Sequence, residues 1–209
     1  MTGPDNRVTR ISGAVARALD DRQREATEEV EKILAATVRV MERMAPEPPR
    51  VTDIVAEAGS SNKAFYRYFA GKDELILAVM ERGVAITVSY LEHVMAKETE
   101  PAARITRWIE GCLAQVADPH LLTFSRAAIS QMSATANQQV ADSEILFPMR
   151  ALLTEPVAAL GNPDPSRDVD SIFLCTTGTM RRYVGSAHRP DQADIDHLVQ
   201  FCLRGIGAG

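Results

Sequence analysis

Apolar residues recur every three or four positions along most of the chain, which is the spacing of helices that bury one face. The first such stripe predicts a long helix from about Asp21 to Met44, and the proline-rich run 45–49 ends it. No stretch alternates apolar and polar residues as a half-buried strand does. The pattern therefore predicts an all-α protein.

Further stripes predict helices over most of the remaining chain. One covers residues 73–95 and runs for about five turns, and another extends from Ile105 to Val116. The other predicted helices span about 120–134, 143–160, 167–185 and 191–206. Pro148 and Pro156 should kink the helix at 143–160 or split it into two pieces.

Residues 51–75 contain the capping and helix-ending residues expected of two short helices joined by a tight turn. Ile54 lies on the apolar face of the first helix, and Gly59 ends it in the left-handed conformation. Ser61 can cap the second helix, Phe65 lies on its inner face, and Gly71 closes it. This order is typical of a helix-turn-helix, whose second helix fits the DNA major groove. Spacing alone fits a plain helical hairpin about as well.

The residue types in this segment resemble the DNA-binding signature of TetR-family transcriptional regulators. The matching residues are Asp53, Ile54, Val55, Ala58, Gly59, Ser61, Phe65, Tyr66, Tyr68, Phe69, Lys72 and Leu75, with Ile33 to Ala36 upstream. The resemblance covers about the first third of the chain. It implies a three-helix helix-turn-helix domain joined by a long helix to a helical ligand-binding and dimerisation domain. The expected division is a flexible tail (1–20), a DNA-binding domain (21–72) and an effector-binding and dimerisation domain (73–209).

The side chains of the second helix suit DNA. Asn62, Lys63 and Arg67 are long enough to reach base edges, and the methyl of Ala64 could meet a thymine methyl. The resemblance assigns these four to bases. It assigns phosphate contacts to Thr52, Tyr66, Tyr68 and Lys72, and Arg50 and Ser61 complete the predicted DNA-binding set.

Two residues depart from the family pattern. Ser60 stands where an apolar turn residue is usual, and it could loosen the turn. Arg50 stands where a threonine often caps the helix; a guanidinium cannot cap in that way but can reach a phosphate. The arginines of the tail, Arg7, Arg10 and Arg17, are either solvated or reach into the minor groove.

The net charge of -5 argues against a protein that coats nucleic acid, so any DNA contact must be local. Cys112, Cys175 and Cys202 are far apart along the chain, which excludes a disulfide framework or a CxxC metal site and fits a reducing compartment. No apolar run approaches the roughly 18 residues of a membrane span. We therefore expect a soluble cytoplasmic protein with no membrane partner and no cofactor.

The family resemblance implies a homodimer on a double-stranded DNA operator, held together by C-terminal helices. The residues predicted for this interface are Phe173, Met180, Leu198 and Cys202, although their apolar faces suit the core of a single chain equally well.

A pocket for a small-molecule effector is expected among the middle helices. Its candidate lining residues, each of which also suits an ordinary core position, are Trp108, Phe124, Met132, Phe147, Cys175 and Tyr183. Arg126 shares a helical stripe with Leu122 and Ile129, so its charge needs a partner, either a carboxylate of the chain or an anionic ligand.

These features predict a ligand-responsive transcriptional regulator, most simply a repressor that a small molecule releases from a palindromic operator. The alternative is a helical protein that binds a small molecule or a partner and has kept the head without sequence-specific DNA binding; Ser60 and the acidic balance favour it. An enzyme is not expected. The four histidines show no metal-ligand spacing, and the chain has no Gly-rich phosphate loop or nucleophile elbow.

Overall fold

The computed structural model describes residues 5–44, 47–118 and 138–208, with side chains described over 10–44, 47–118 and 144–208. All regular structure in these ranges is α-helical, as the apolar spacing predicted. The helices are α1 (Asp5–Met44), α2 (Val51–Ala58), α3 (Asn62–Tyr68), α4 (Lys72–Met95), α5 (Pro101–Ala117), α6 (Gln138–Ala151), α7 (Thr154–Ala158), α8 (Pro165–Val184) and α9 (Gln192–Gly205).

Helix α1 is longer than the sequence pattern predicted. It begins at Asp5 and runs for 40 residues, so the segment expected to be a tail is helical from Asp5 onward. The large apolar residues described in this added part are exposed: Ile11 by 66%, Val15 by 53% and Leu19 by 58%. Residues 10–24 of α1 therefore add nothing to the core of the described chain.

The N-terminal helices enclose a small core of their own. The second half of α1 packs on α2, and side chains from α1 to the start of α4 meet in one apolar cluster. Ile33, Ile54, Phe65 and Leu75 each have no exposed surface within it. Thr37 is also fully buried, and its hydroxyl donates to the Ile33 carbonyl at 2.7 Å. We call this unit, from about residue 27 to residue 79, the head.

The remaining helices form a second, larger core around α5, and we call this unit the body. Trp108, Leu113, Leu153 and Ile172 are at most 1% exposed in it. The indole N–H of Trp108 donates to the Met149 carbonyl at 3.0 Å, which ties α5 to α6. The helix predicted at 143–160 is split into α6 and α7, with Pro148 inside α6. The helix predicted at about 120–134 lies outside the described residues.

Helix α4 belongs to both units. Leu75 and Val79 lie in the core of the head, whereas Leu91 and Met95 lie in the core of the body. The guanidinium of Arg82, on α4, is 2.7 Å from the carboxylate of Glu31, on α1. Helix α4 therefore links the core of the head to the core of the body.

Candidate nucleic-acid interface

The turn between α2 and α3 is built around Gly59. Its φ of 61° and ψ of 31° are left-handed, a conformation that costs glycine least. The Gly59 N–H donates to the Ala56 carbonyl at 3.3 Å, and the Ser60 N–H donates to the Val55 carbonyl at 2.9 Å. These bonds close α2 sharply. They also show that Ser60 does not loosen the turn.

Ser61 begins α3 as a cap. Its hydroxyl accepts the Ala64 N–H at 3.1 Å, so this predicted DNA-binding residue already has a structural role. Arg50, at the equivalent position of α2, makes no side-chain cap bond and is exposed. This matches the expectation that a guanidinium cannot replace a hydroxyl as a cap.

The inner face of α3 anchors it to the head. Phe65 is fully buried and Phe69 is 6% exposed, and their ring centroids are 5.7 Å apart. Ala64 lies on the same side and is 4% exposed. Ala64 therefore does not fit the set of base-contacting residues predicted from the sequence, because its methyl group packs inside the head.

The outer face of α3 is polar and exposed. Asn62, Lys63, Tyr66 and Arg67 lie there, and Tyr66 is 59% exposed although it is aromatic. Thr52 is exposed near the start of α2, and Lys72 is half-buried at the start of α4. The fold therefore gathers most of the predicted DNA-binding residues at the ends of α2, α3 and α4.

Two carboxylates pair with arginines of the head, and sequence analysis missed both. Glu57 accepts from Arg39 Nε at 2.8 Å and from Arg43 Nη1 at 3.0 Å, and these guanidiniums hold the pKa of its carboxyl below the ordinary value. Glu29, on α1, is the second; it approaches Ser60, Arg67 and Tyr68. The one hint in the sequence was Ser60, a polar residue where an apolar one is usual, because its hydroxyl lies 3.4 Å from Glu29 Oε1.

Glu29 also affects Tyr68. The Tyr68 hydroxyl donates to Glu29 Oε2 at 2.9 Å, and this bond raises the pKa of the phenol because the carboxylate stabilises the protonated form. The Arg67 guanidinium lies 5.0 Å from the centre of the Tyr68 ring. Tyr68, predicted to bind phosphate, thus faces an acidic side chain of its own head.

A groove of about 550 Å³ lies between α4 and α6 in the described part of the chain. Its lining combines an apolar floor with three carboxylates and consists of Leu77, Glu81, Val84, Ala85, Val88, Ser89, Glu92, Glu144, Ile145 and Pro148. None of the described residues predicted to bind a ligand belongs to it. The groove instead uses the side of α4, the helix that connects the head with the body.

The residues predicted to bind a ligand occupy other places. Trp108 is fully buried and Tyr183 is 5% exposed, so both are core residues in the described chain, whereas Phe147 is 58% exposed. Cys175 is half-buried beside Cys202, and burial, together with this neighbouring thiol, raises the pKa of Cys202 to about 11. Three further candidates, Phe124, Arg126 and Met132, lie outside the described residues.

The residues predicted for the dimer interface mostly face the body. Leu198 is 9% exposed and Cys202 is 5% exposed, Met180 packs against the body core, and the Phe173 ring is centred 6.2 Å from that of Trp108. The large exposed apolar residues of α8 and α9 are Leu174, at 66%, and Phe201, at 60%. Sequence analysis missed both, because it followed the apolar stripe on the buried face of each helix and gave no weight to a single apolar residue on the opposite face.

The part of the chain that the structure describes holds no group of three or more His, Cys, Asp or Glu side chains that could bind a metal ion. Over the same ranges, no helix is both long enough and apolar enough to cross a bilayer.

A short helix, a glycine turn and an exposed polar helix on a buried aromatic face define the helix-turn-helix class of transcription regulators. Residues 33–79 match the model of a family described as bacterial regulatory proteins of the tetR family. The head is therefore a TetR-family helix-turn-helix, as the resemblance in sequence indicated. No curated protein sequence matches the chain significantly.

Solved regulators share the fold of the head and the body together. The fatty acid degradation regulator FadR from Bacillus halodurans has a TM-score of 0.69 at 18% identity, over 84% of this chain and 98% of that one. FadR from Bacillus subtilis, in complex with stearoyl-CoA, gives 0.69 at 16% over the same shares. A TetR transcription regulator from Haloarcula marismortui gives 0.68 at 20%, over 87% and 98%. At these identities the likeness shows the fold.

Proposed function

We propose that this chain is a transcriptional regulator that binds an operator as a homodimer and is released from it by a small molecule. The observation that carries the proposal is the division of α3 into two faces. Phe65 and Phe69 fix the helix to the head, while Asn62, Lys63 and Arg67 project from its exposed side. The amide, ammonium and guanidinium groups on this helix can donate hydrogen bonds to the acceptors on base edges in the major groove.

Operator binding requires two heads. Recognition helices that read successive major grooves must lie about 34 to 36 Å apart, a spacing that two copies related by a two-fold axis provide. The exposed Leu174 and Phe201 support pairing through α8 and α9, because large apolar side chains exposed on neighbouring helices favour association. In this pairing, α8 and α9 of both copies form a four-helix bundle.

The groove between α4 and α6 is the proposed effector site. An apolar molecule bound there would lie against Val84 and Val88 of α4, so its binding could shift the helix that enters the head. Glu81, Glu92 and Glu144 give the groove negative charge, which favours a neutral or cationic ligand. The ligand releases DNA only if it binds the displaced position of α4 more tightly.

A gel-shift assay tests DNA recognition. The duplex is the DNA upstream of the protein's own gene, with a scrambled duplex of equal length and composition as the control, at two salt concentrations. We expect preferential binding to the upstream DNA that weakens as salt rises. Equal binding to both duplexes would contradict the proposal.

A thermal unfolding assay tests the groove. Neutral and cationic apolar molecules should raise the unfolding midpoint of the protein, since a ligand that binds only the folded state stabilises it. Ala85, which is exposed in the groove, provides the matched variant. Ala85→Trp should abolish the shift by filling the groove. A ligand that stabilises the wild type and this variant equally binds elsewhere.

A second candidate is a helical binding protein whose head recognises no DNA sequence. Glu57 pairs with Arg39 and Arg43, and Glu29 pairs with Arg67, so both carboxylates cancel positive charge that phosphates would need. This candidate predicts a gel shift without preference for any duplex, whereas the regulator predicts a strong preference.

A further inference from the structure

Glu29, on α1, contacts residues at both ends of α3. Its Oε2 accepts the Tyr68 hydroxyl at 2.9 Å and lies 3.5 Å from Nη2 of Arg67. Its Oε1 is 3.4 Å from the Ser60 hydroxyl. One carboxylate therefore contacts the turn before α3 and the last turn of α3.

These contacts compete with DNA. Arg67 has the donors to bind a guanine edge, and the Tyr68 hydroxyl has the donor to bind a phosphate, yet in the free protein both groups face Glu29. The Arg67 guanidinium and the Tyr68 hydroxyl must therefore leave Glu29 before they can bind DNA. In addition, the negative charge of Glu29 repels nearby phosphates, whatever the base sequence.

We propose that Glu29 is an autoinhibitory residue of the head, which rests on the proposed function. Arg67 and Tyr68 must leave this carboxylate before they reach a base or a phosphate, so every complex that uses them loses the same contacts. The O6 and N7 atoms of a correctly placed guanine offer Arg67 a bidentate pair, worth about 1 to 3 kcal/mol of discrimination, which can replace the lost contact. Glu29 thus lowers the affinity of the head for arbitrary DNA and for the operator.

The chain offers a matched control one residue away. Glu28 is exposed on α1 and has no hydrogen-bond or ion-pair partner among the described residues. Glu28→Gln and Glu29→Gln therefore remove the same charge from the same turn of α1, but only the second removes the contacts with Arg67 and Tyr68. Glu29→Asp adds a third comparison, because it keeps the charge and withdraws the carboxylate by one methylene.

The experiment measures the affinity of each variant for the operator fragment and for a scrambled duplex by fluorescence anisotropy. Glu29→Gln should bind the scrambled duplex about two- to fivefold more tightly than the wild type, the range expected for releasing an exposed ion pair. It should bind the operator more tightly by at least the same factor, because Arg67 must leave the carboxylate in that complex as well. Glu28→Gln should change both affinities by a similar, smaller factor.

A merely structural role would weaken binding to both duplexes, so tighter binding to scrambled DNA separates the two roles. Glu29→Asp should also bind both duplexes more tightly than the wild type. Affinities of Glu29→Gln and Glu29→Asp equal to those of Glu28→Gln would overturn the inference. If the wild type itself fails to prefer the operator over the scrambled duplex, the proposed function fails instead.

A measurement without DNA checks the contact itself. Glu29 raises the pKa of Tyr68, so Glu29→Gln should lower the pKa of this phenol in the free protein. The Tyr68 component is the difference between ultraviolet titrations of proteins with and without Tyr68→Phe. An unchanged Tyr68 titration in Glu29→Gln would mean that the carboxylate does not hold Tyr68 in solution.

Discussion

Glu57 joins α1 to α2 through an ion pair whose strength depends on pH. Arg39 and Arg43 lower the pKa of its carboxyl, so the unfolded chain binds this proton more tightly than the folded head does. The contribution of Glu57 to stability is therefore complete above the ordinary pKa of about 4.5 and is lost as pH falls through the lower folded value. Acid should loosen the contact between α1 and α2.

We expect Glu57→Gln to be less stable than the wild type at pH 7 and to approach it at pH 3. Urea unfolding at the two pH values measures this difference. Glu28→Gln is the control, because Glu28 is exposed and has no described partner. A gap between the wild type and Glu57→Gln that is equal at both pH values would contradict the pKa assignment.

Arg67 and Lys72 should contribute to DNA binding in different ways. Arg67 is exposed on α3, where its guanidinium can reach bases, whereas Lys72 is half-buried at the start of α4, where its ammonium suits a phosphate. Arg67→Ala should relax sequence preference. Lys72→Ala should weaken binding to all duplexes alike and reduce the salt slope by about 1. Gel shifts with operator variants distinguish the two, and identical effects on every duplex would refute these roles.

At the residue scale, the sequence predicted what depends on neighbours along the chain. The turn at Gly59 and the cap at Ser61 are set by local backbone geometry, and both are present. The burial of Ala64 and the contacts of Glu29 depend on how α1 crosses α3. Helical spacing contains no information on that crossing, so the sequence assigned Ala64 to DNA and missed Glu29.

At the scale of elements, α4 and α5 pack unusually closely at Gly111. A Cβ atom at this position would lie 2.5 Å from Cδ2 of Leu91 and 3.3 Å from Cε1 of Tyr90. Leu91 is fully buried, so its side chain cannot turn outward without exposing apolar surface. The glycine therefore allows α5 to approach the helix that leads to the head.

Gly111→Ala should destabilise the protein by about 1 to 3 kcal/mol, the usual cost of overpacking a core. Urea unfolding followed by Trp108 fluorescence measures it. Gly13→Ala is the control, because a Cβ atom there meets only Nη1 of Arg17, at an ordinary 3.5 Å. A neutral or stabilising effect of Gly111→Ala would show that α4 and α5 are not in tight contact.

The bounds of elements were predictable where a residue forces a stop. Gly59 ends α2, and the proline-rich run after Met44 ends α1. The start of α1 was not predictable, because residues 10–20 have no buried stripe and Gly13 lowers helix propensity by about 1 kcal/mol relative to alanine. A helical segment whose described side chains are not buried lacks the periodic burial on which sequence analysis relies.

At the scale of the molecule, the resemblance in sequence predicted a long helix that joins the two units, and α4 is that helix, although the expected boundary at residue 73 assigned it to the larger domain. Leu75 and Val79 lie in the core of the head, whereas Leu91 and Met95 lie in the core of the body. The lining of the proposed effector groove could not be predicted in the same way. An apolar helix face indicates burial, but it does not tell a cavity wall from a packed core, and Trp108 and Tyr183 proved to be core residues.

The dimer provides the last test. Phe201 and Leu174 expose 60% and 66% of their surface in the single chain, so an α8–α9 bundle predicts that a charge at position 201 would be buried without a partner. The wild type should have twice the chain mass of 22.8 kDa in light scattering, and Phe201→Glu should have the chain mass itself. Ile86→Glu is the control, since Ile86 is 61% exposed on α4, which is not a helix of the proposed bundle, and this variant should remain a dimer. Phe201→Glu should also lose operator affinity, because two linked heads bind far more tightly than one. A dimeric Phe201→Glu would place the interface on another face of the body.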